Sequence, residues 1–384
     1  MLKLRRGTVV STEPLVIDVN GERRGAWADV GLVGETRDGD EVIVNVEGLD
    51  LELGSGGFDV VHANLTRGLD GPGAAAAHVM KLNYTSLQHP VSPVEVSVRD
   101  VADRGGGPSE PMDPGPGTPA GTSRLSAGSD AAPPVLVLPL HGHLAPAAWA
   151  AHEMAADLRV GFIQTTGGAL PGKLSRDLAE LIERKLLVGD ISAGPAYGGS
   201  FEAISVPGAV DAGARALEWD ALIVGPGPGI IGSESRLGHG GMAALDSAHA
   251  ALALGHPTLV SPRLSIGDPR PRHRGLSHHT ATVLGLLLAA VQVPVPRLEG
   301  HEGDGAEHLE SGSGRDAVEE IRSLCGDRHD VMVEEVDLDG YTASGLPARS
   351  MGRGIDEDPL FFAAALAAGR SLGRLAKEGA DAAR

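Results

Sequence analysis

From the N-terminus to about residue 95, short apolar runs alternate with polar turn clusters. Gly7–Val10, Leu15–Val19, Ala26–Val30, Glu41–Val46 and Phe58–His62 have the β-branched content of strands. Asn20-Gly21 is a hairpin signal, because both residues tolerate the positive φ of a type I′ turn, and Asp38-Gly39 marks a second turn. Five strands this short predict a small β-barrel, whose closure removes the edges that an open sheet would expose. His78–Gln88 reads as an extended connector ending at Pro90, with one more strand at Val94–Val101. Its polar Lys81, Tyr84 and Gln88 suit a solvated face rather than a cleft.

Beyond Pro134 the period changes, and strands alternate with helices. Val135–Leu140, Arg159–Gln164, Glu202–Val206, Ala221–Val224 and Thr258–Ser261 are predicted strands, with helices near 145–157, 175–187, 208–218, 242–254 and 278–291. After an acidic, Gly-rich interruption at Glu299–Gly314, a helix at Ala317–Leu324, a strand at Val331–Val336 and a helix at Pro359–Leu375 close the chain. The alternation predicts an α/β fold: a parallel, Rossmann-like sheet with right-handed crossovers and helices on both faces. Between the two patterns, Asp103–Pro134 offers almost nothing to bury and reads as a linker. The expected division is 1–102 (barrel-like), 103–134 (linker) and 135–384 (α/β).

Composition narrows the function classes. The 384 residues carry a net charge of -19 and only 3% aromatics, which argues against nucleic acid and anionic membranes as partners. No apolar run approaches a membrane span, and the basic Met1–Arg6 lacks the apolar core of a signal peptide. The single cysteine, Cys325, excludes an intramolecular disulfide and a Cys-based zinc cluster, and suits a cytoplasmic setting. Homo-oligomerisation is left open.

The unusual residues follow the predicted strands, and parallel strands bring such loops to one carboxyl edge. Trp219–Gly241 is the focal stretch. The strand Asp220–Val224 runs into Gly225, Gly227 and Gly229, interleaved with Pro226 and Pro228, and these predict close backbone approach to a ligand. Ser233, Glu234 and His239 follow as catalytic or binding candidates. Thr165 and Gly167 stand in a second Gly-rich turn. Gly167–Lys173 matches G-x-x-x-x-G-K, yet Leu174 replaces the hydroxyl residue that holds Mg²⁺, which favours a helix-capping turn over a nucleotide loop.

His141 and His143 form an H-x-H pair. On extended backbone both would face one side and could share a divalent metal; otherwise one lines the cleft and the other caps the next helix. Ser261–Thr280 is basic within an acidic chain. Arg263 and Arg272, with Arg270 and Arg274, suit a carboxylate or phosphate, and Ser277 stands at a helix N-cap whose N–H groups could meet an anion. Salt bridging to nearby acids explains the same arginines. His278 and His279 are acid, base or metal candidates, of which the divergence of adjacent helical residues predicts that only one faces inward.

RRGTVV, HVMKLNYTSLQHPV, GPGPGIIGSESRLGHGG, DPRPRHRGLSHHT and SMGRGIDEDPLFFAAALAAG together resemble the bacterial DUF3866 family of proteins of unknown function. The resemblance supplies no activity, cofactor or catalytic residue. It draws attention to Arg353 as an anion clamp and to Asp356 and Asp358 as caps of the last helix. Three functions are expected from these residues. One is an enzyme on a small anionic substrate, with His141, Ser233, His239 or His278 at the chemistry. Another is a metabolite-binding or regulatory module. The last is a metal-dependent hydrolase built on His141 and His143.

Overall fold

The computed structural model describes residues 1–52, 56–71, 73, 77, 79–96, 132–297 and 312–383. Met1–Ser92 and Pro93–Arg384 are separate compact units. In the first, β1 (Leu4–Thr12), β2 (Leu15–Val19), β3 (Glu22–Trp27), β4 (Glu41–Asn45) and β5 (Asp59–Asn64) close a barrel in the order β1-β2-β3-β5-β4. Asn20 and Gly21 both have positive φ and join Val19 to Glu22 in a two-residue turn. Alternate residues point inward, so Val42 and Val44 of β4 meet Val9, Ile17 and Val61 in a small core. The third predicted strand stops at Trp27 because Asp29 caps a one-turn helix, α1 (Val30–Val33), by accepting from the Gly31 N–H, and a second one-turn helix, α2 (Glu47–Asp50), follows β4.

The predicted connector is instead a two-stranded ribbon, β6 (Val79–Lys81) on β7 (His89–Val91); His78 lies outside the described residues. Lys81 is buried, whereas Tyr84 and Gln88 are exposed. Val94 lies in a turn, and residues 97–101 of the predicted strand fall outside the described residues. The Val94 N–H donates to the Glu202 carbonyl, and Glu95 accepts from the N–H groups of Ile204 and Ser205, within the second unit. Most of the expected linker, and residues 298–311, fall outside the described residues.

The second unit is built on one parallel sheet of eight strands. They are β8 (Val135–Val137), β9 (Val160–Thr165), β10 (Asp190–Ala193), β11 (Phe201–Ala203), β12 (Ala221–Pro226), β13 (Thr258–Val260), β16 (Gln292–Pro296) and β17 (Asp330–Glu334). Their order is β11-β10-β9-β12-β8-β13-β16-β17. Two ribbons stand outside it: β14 (Leu264–Ser265) with β15 (Gly275–Leu276), and β18 (Arg349–Ser350) with β19 (Arg353–Gly354). β8 ends early because Pro139 has no N–H to continue the ladder. β16 was hidden in the sequence by its own prolines, Pro294 and Pro296, which normally argue against an inner strand.

Successive strand residues serve opposite faces. Val135 and Val137 pack under α5 (Val206–Arg215), α6 (Ala243–Ala253), α7 (His278–Leu286) and α8 (Gly312–Cys325). Leu136 packs with α3 (Leu144–Met154), α4 (Arg176–Glu183) and α10 (Pro359–Ala383), beside the short α9 (Leu338–Ala343). α10 lies against α3 with almost no side chain between them: a Cβ on Gly369 would stand 2.0 Å from the Ala147 carbonyl. The sheet is therefore covered on both faces, and its open edge at the carboxyl ends is the place where strand order reverses around β8.

Candidate functional site

The loops that leave β8, β12 and β13 and the 349–353 segment meet around a cleft of about 590 Å³. Its walls include Leu140–Gly142, Asp177, Pro228–Ile230, Ser233, Arg263, Arg270, Arg272, His273, His279, Arg349 and Arg353. Five arginines from separate stretches of an acidic chain thus face one cavity. Three of them are organised by two buried carboxylates. Asp268 accepts from Arg263 at 2.9 Å, from the N–H, Nε and Nη2 of Arg270 and from Arg353 at 3.2 Å. Asp358 accepts from Ser265 Oγ, from the N–H groups of Ile266 and Gly267 and from Arg353 Nε. Burial alone would raise the Asp268 carboxyl, but its bonds to Arg270 and the charges of Arg270 and Arg263 hold it well below the carboxylate range. Burial likewise lowers the Arg263 guanidinium to about 10, still charged at neutral pH.

Beside this cluster lies a group of imidazoles. One ring nitrogen from each of His239, His278 and His279 lies within 4.8 Å of the other two. His239 Nδ1, His278 Nε2 and His279 Nδ1 are buried without a hydrogen-bond partner, and His239 Nδ1 and His279 Nδ1 flank Gly241. The His239 and His279 rings stack at 3.7 Å. His239 Nε2 donates to the Arg236 carbonyl at 3.0 Å, which leaves Nδ1 with a lone pair. Ser277 caps α7 by accepting from the His279 N–H and bonds His273 Nδ1 at 2.8 Å. Burial, then the neighbouring imidazoles and Arg263, push His279 down to about 2; burial and the arginines push His273 to about 3. These rings are neutral at pH 7.

Several expectations change. His141 and His143 stand in a tight 3₁₀ turn, not on extended backbone, and serve different partners. His141 Nδ1 donates to the Pro226 carbonyl at 3.1 Å, so its Nε2 accepts from Ser175 Oγ at 2.7 Å; His143 Nδ1 bonds Ser261 Oγ at 2.9 Å. His279 lines the cleft and His278 does not, as helical divergence predicts, yet each brings a ring nitrogen close to His239. The glycines mostly face chain, not cleft. A Cβ on Gly167 would strike the Gly240 carbonyl, one on Gly227 the Ala169 carbonyl at 2.3 Å, and one on Gly225 would crowd Leu138. Gly229, at φ +70 with nothing near its missing Cβ, does line the cavity.

Gln164 fills the 167–173 turn by donating to the Ala169 and Leu170 carbonyls, and Thr165 is buried beneath it. Ser175, which trails that turn, caps α4. Ser233 lies on an exposed turn at the cleft rim, and Glu234 pairs with Arg272 at 3.0 Å. Asp356 is exposed, and the Asp358 side chain accepts from the N–H groups of Ile266 and Gly267, just past β14, and from Arg353. Sequence reading missed Asp268, His273 and Arg349; only their place in the basic stretch and near Arg353 gave a signal.

Among the described residues no helix is long and apolar enough to cross a membrane. No curated protein and no solved structure matches the chain. The family model described as "Protein of unknown function (DUF3866)" matches residues 26–104 and 124–369, and the chain belongs to that family.

Proposed function

We propose that the cleft at the carboxyl edge of the parallel sheet binds a small anionic ligand. The observation that carries this reading is the convergence of five arginines on one cavity in a chain of net charge -19. Three of them share Asp268 and Asp358, Arg272 is tied only to the exposed Glu234, and Arg349 donates to the Gly352 carbonyl with no carboxylate partner among the described residues. A guanidinium without an acid is free to fork onto a carboxylate or phosphate. The same charge pattern disfavours nucleic acid and anionic membranes as partners, and we place the chain in the cytoplasm.

Titration calorimetry with inorganic phosphate, pyrophosphate and citrate tests the proposal. At least one should bind, with affinity falling as salt rises, and Arg349→Ala should weaken it by at least about tenfold, or 1.4 kcal/mol. Arg23→Ala, in the barrel, should change nothing. Absence of binding by all three anions, or an unaffected Arg349→Ala protein, would overturn the reading.

An enzyme acting on that anion is the second reading, favoured by the Ser175 hydroxyl that donates to the neutral Nε2 of the cleft-lining His141. That is the orientation of a base-activated nucleophile. Ser175→Ala would then abolish turnover while anion binding persists.

A further inference from the structure

The three nitrogens of His239, His278 and His279 have no account in the anion cleft. A buried imidazole nitrogen without a partner is costly, and nearly all buried polar atoms in folded proteins find one. Here three converge from two chain segments, the turn before α6 and the first turn of α7, and all are closed to bulk water. His239 and His279 are 6% and 4% exposed, so neither can turn outward to hydrate.

We infer that His239 and His279 through Nδ1, with His278 through Nε2, form a site for a divalent transition metal of the Zn²⁺ class. The surroundings match what such ligands need. The bond from His239 Nε2 to the Arg236 carbonyl fixes the tautomer that leaves Nδ1 free, the role an outer-shell acceptor plays for a metal-binding histidine. Gly241 leaves the space between the rings open: a Cβ there would lie 3.0 Å from His239 Nδ1 and 3.4 Å from His279 Nδ1. Ligand atoms at zinc distances in a tetrahedron stand about 3.3 Å apart, so metal entry draws the three nitrogens together and opens the His239–His279 stack by small ring rotations.

Imidazole-only ligation suits Zn²⁺, Co²⁺, Ni²⁺ or Cu²⁺ and not Mg²⁺ or Ca²⁺. Three imidazoles leave a tetrahedral ion one position for water or a ligand atom, and His279 is the ring of the three that lines the cleft. Of the nearby cations, Arg263 is paired with Asp268 and Arg272 with Glu234, so neither opposes a metal as a bare charge. The site rests on three imidazoles and stands whether or not the arginines bind an anion.

Equilibrium dialysis of the full chain against Zn²⁺, after stripping with a chelator, should return one metal per chain at micromolar concentration. Co²⁺ should give the intense visible bands of tetrahedral coordination. His278→Gln, at the least buried of the three rings, should weaken Zn²⁺ binding about a hundredfold or more and erase the Co²⁺ bands while circular dichroism stays native. Gly241→Ala should weaken binding without removing a ligand, and His143→Gln should leave it unchanged. Failure of the wild-type chain to retain Zn²⁺ or Co²⁺, or stoichiometric binding that survives His278→Gln, would overturn the assignment.

Discussion

Two buried polar clusters adjoin the same cleft and differ in how completely they are satisfied. Asp268 accepts five hydrogen bonds, four from guanidinium groups and one from backbone, while His239, His278 and His279 leave three nitrogens bare. A cluster whose carboxylate oxygens are filled is a frame: Asp268 pulls Arg263, Arg270 and Arg353 into place, and the buried atom left bare there is Arg263 Nε. An unsaturated one is a receptor. The loops of the edge are therefore held by one set of charges so that another set of donors can stay unfilled.

The contrast breaks first at Asp268. Asp268→Ala leaves buried guanidinium groups uncompensated and should cost about 3–5 kcal/mol in urea unfolding. A loss under about 1 kcal/mol would show that the arginines are solvated and the frame unnecessary. The next effect is in acid. His143 has the same bare nitrogen, on Nε2, within the core, and burial followed by the charge of Arg263 pushes it down to about 3. Above pH 6.5 it is neutral folded and unfolded. Below that value the unfolded chain takes a proton that the fold refuses, so stability falls from 6.5 toward 3 at up to about 1.4 kcal/mol per pH unit. Between pH 7 and 5 this group should remove about 2 kcal/mol, and His143→Leu should flatten that part of the profile. Asp268 behaves in the opposite way: its lowered carboxyl stabilises above the unfolded value near 4 and is lost only below it. A profile that stays flat to pH 4 would deny the histidine penalty. The smallest effect is expected at the receptor. In metal-free protein His279→Leu removes an unsatisfied polar atom and should change stability by less than about 1 kcal/mol, measured against the Asp268→Ala loss.

Much of the fold was legible because apolar period and turn chemistry act locally. The barrel strands, the Asn20-Gly21 hairpin, the alternating β/α pattern and the gathering of loops on one edge all follow from residues near each other in sequence. The site was legible as a place more than as a mechanism. A Gly-rich loop announces close approach without naming what approaches, and at Gly167 and Gly227 it is another loop. The metal-sharing reading of the H-x-H pair needed extended backbone, and a 3₁₀ turn that no propensity in Leu140–Leu144 demands follows Leu140 instead; the other reading put one histidine in the cleft, where His141 lies. His278 and His279 diverge at the cleft as helix geometry predicts, but that geometry neglects the reach of an imidazole, which brings a nitrogen of each ring close to His239. Asp268 was passed over although Arg263 and Arg270 lie within five residues of it, and Asp358 was read only as a helix cap because its partners Ser265, Ile266 and Gly267 come from across the unit.

The strand order sets a timetable for synthesis. β9, β10 and β11 are neighbours in the sheet and leave the ribosome in succession, so that block can pair as it emerges. β8 is made before them yet lies between β12 and β13, both made later. At about 5–20 residues per second, the apolar Val135-Leu136-Val137 waits several seconds with both edges bare. A nascent chain of this kind needs shelter from edge pairing with its own copies, and a truncation between Val137 and Ala221 should leave an aggregating fragment rather than a smaller domain.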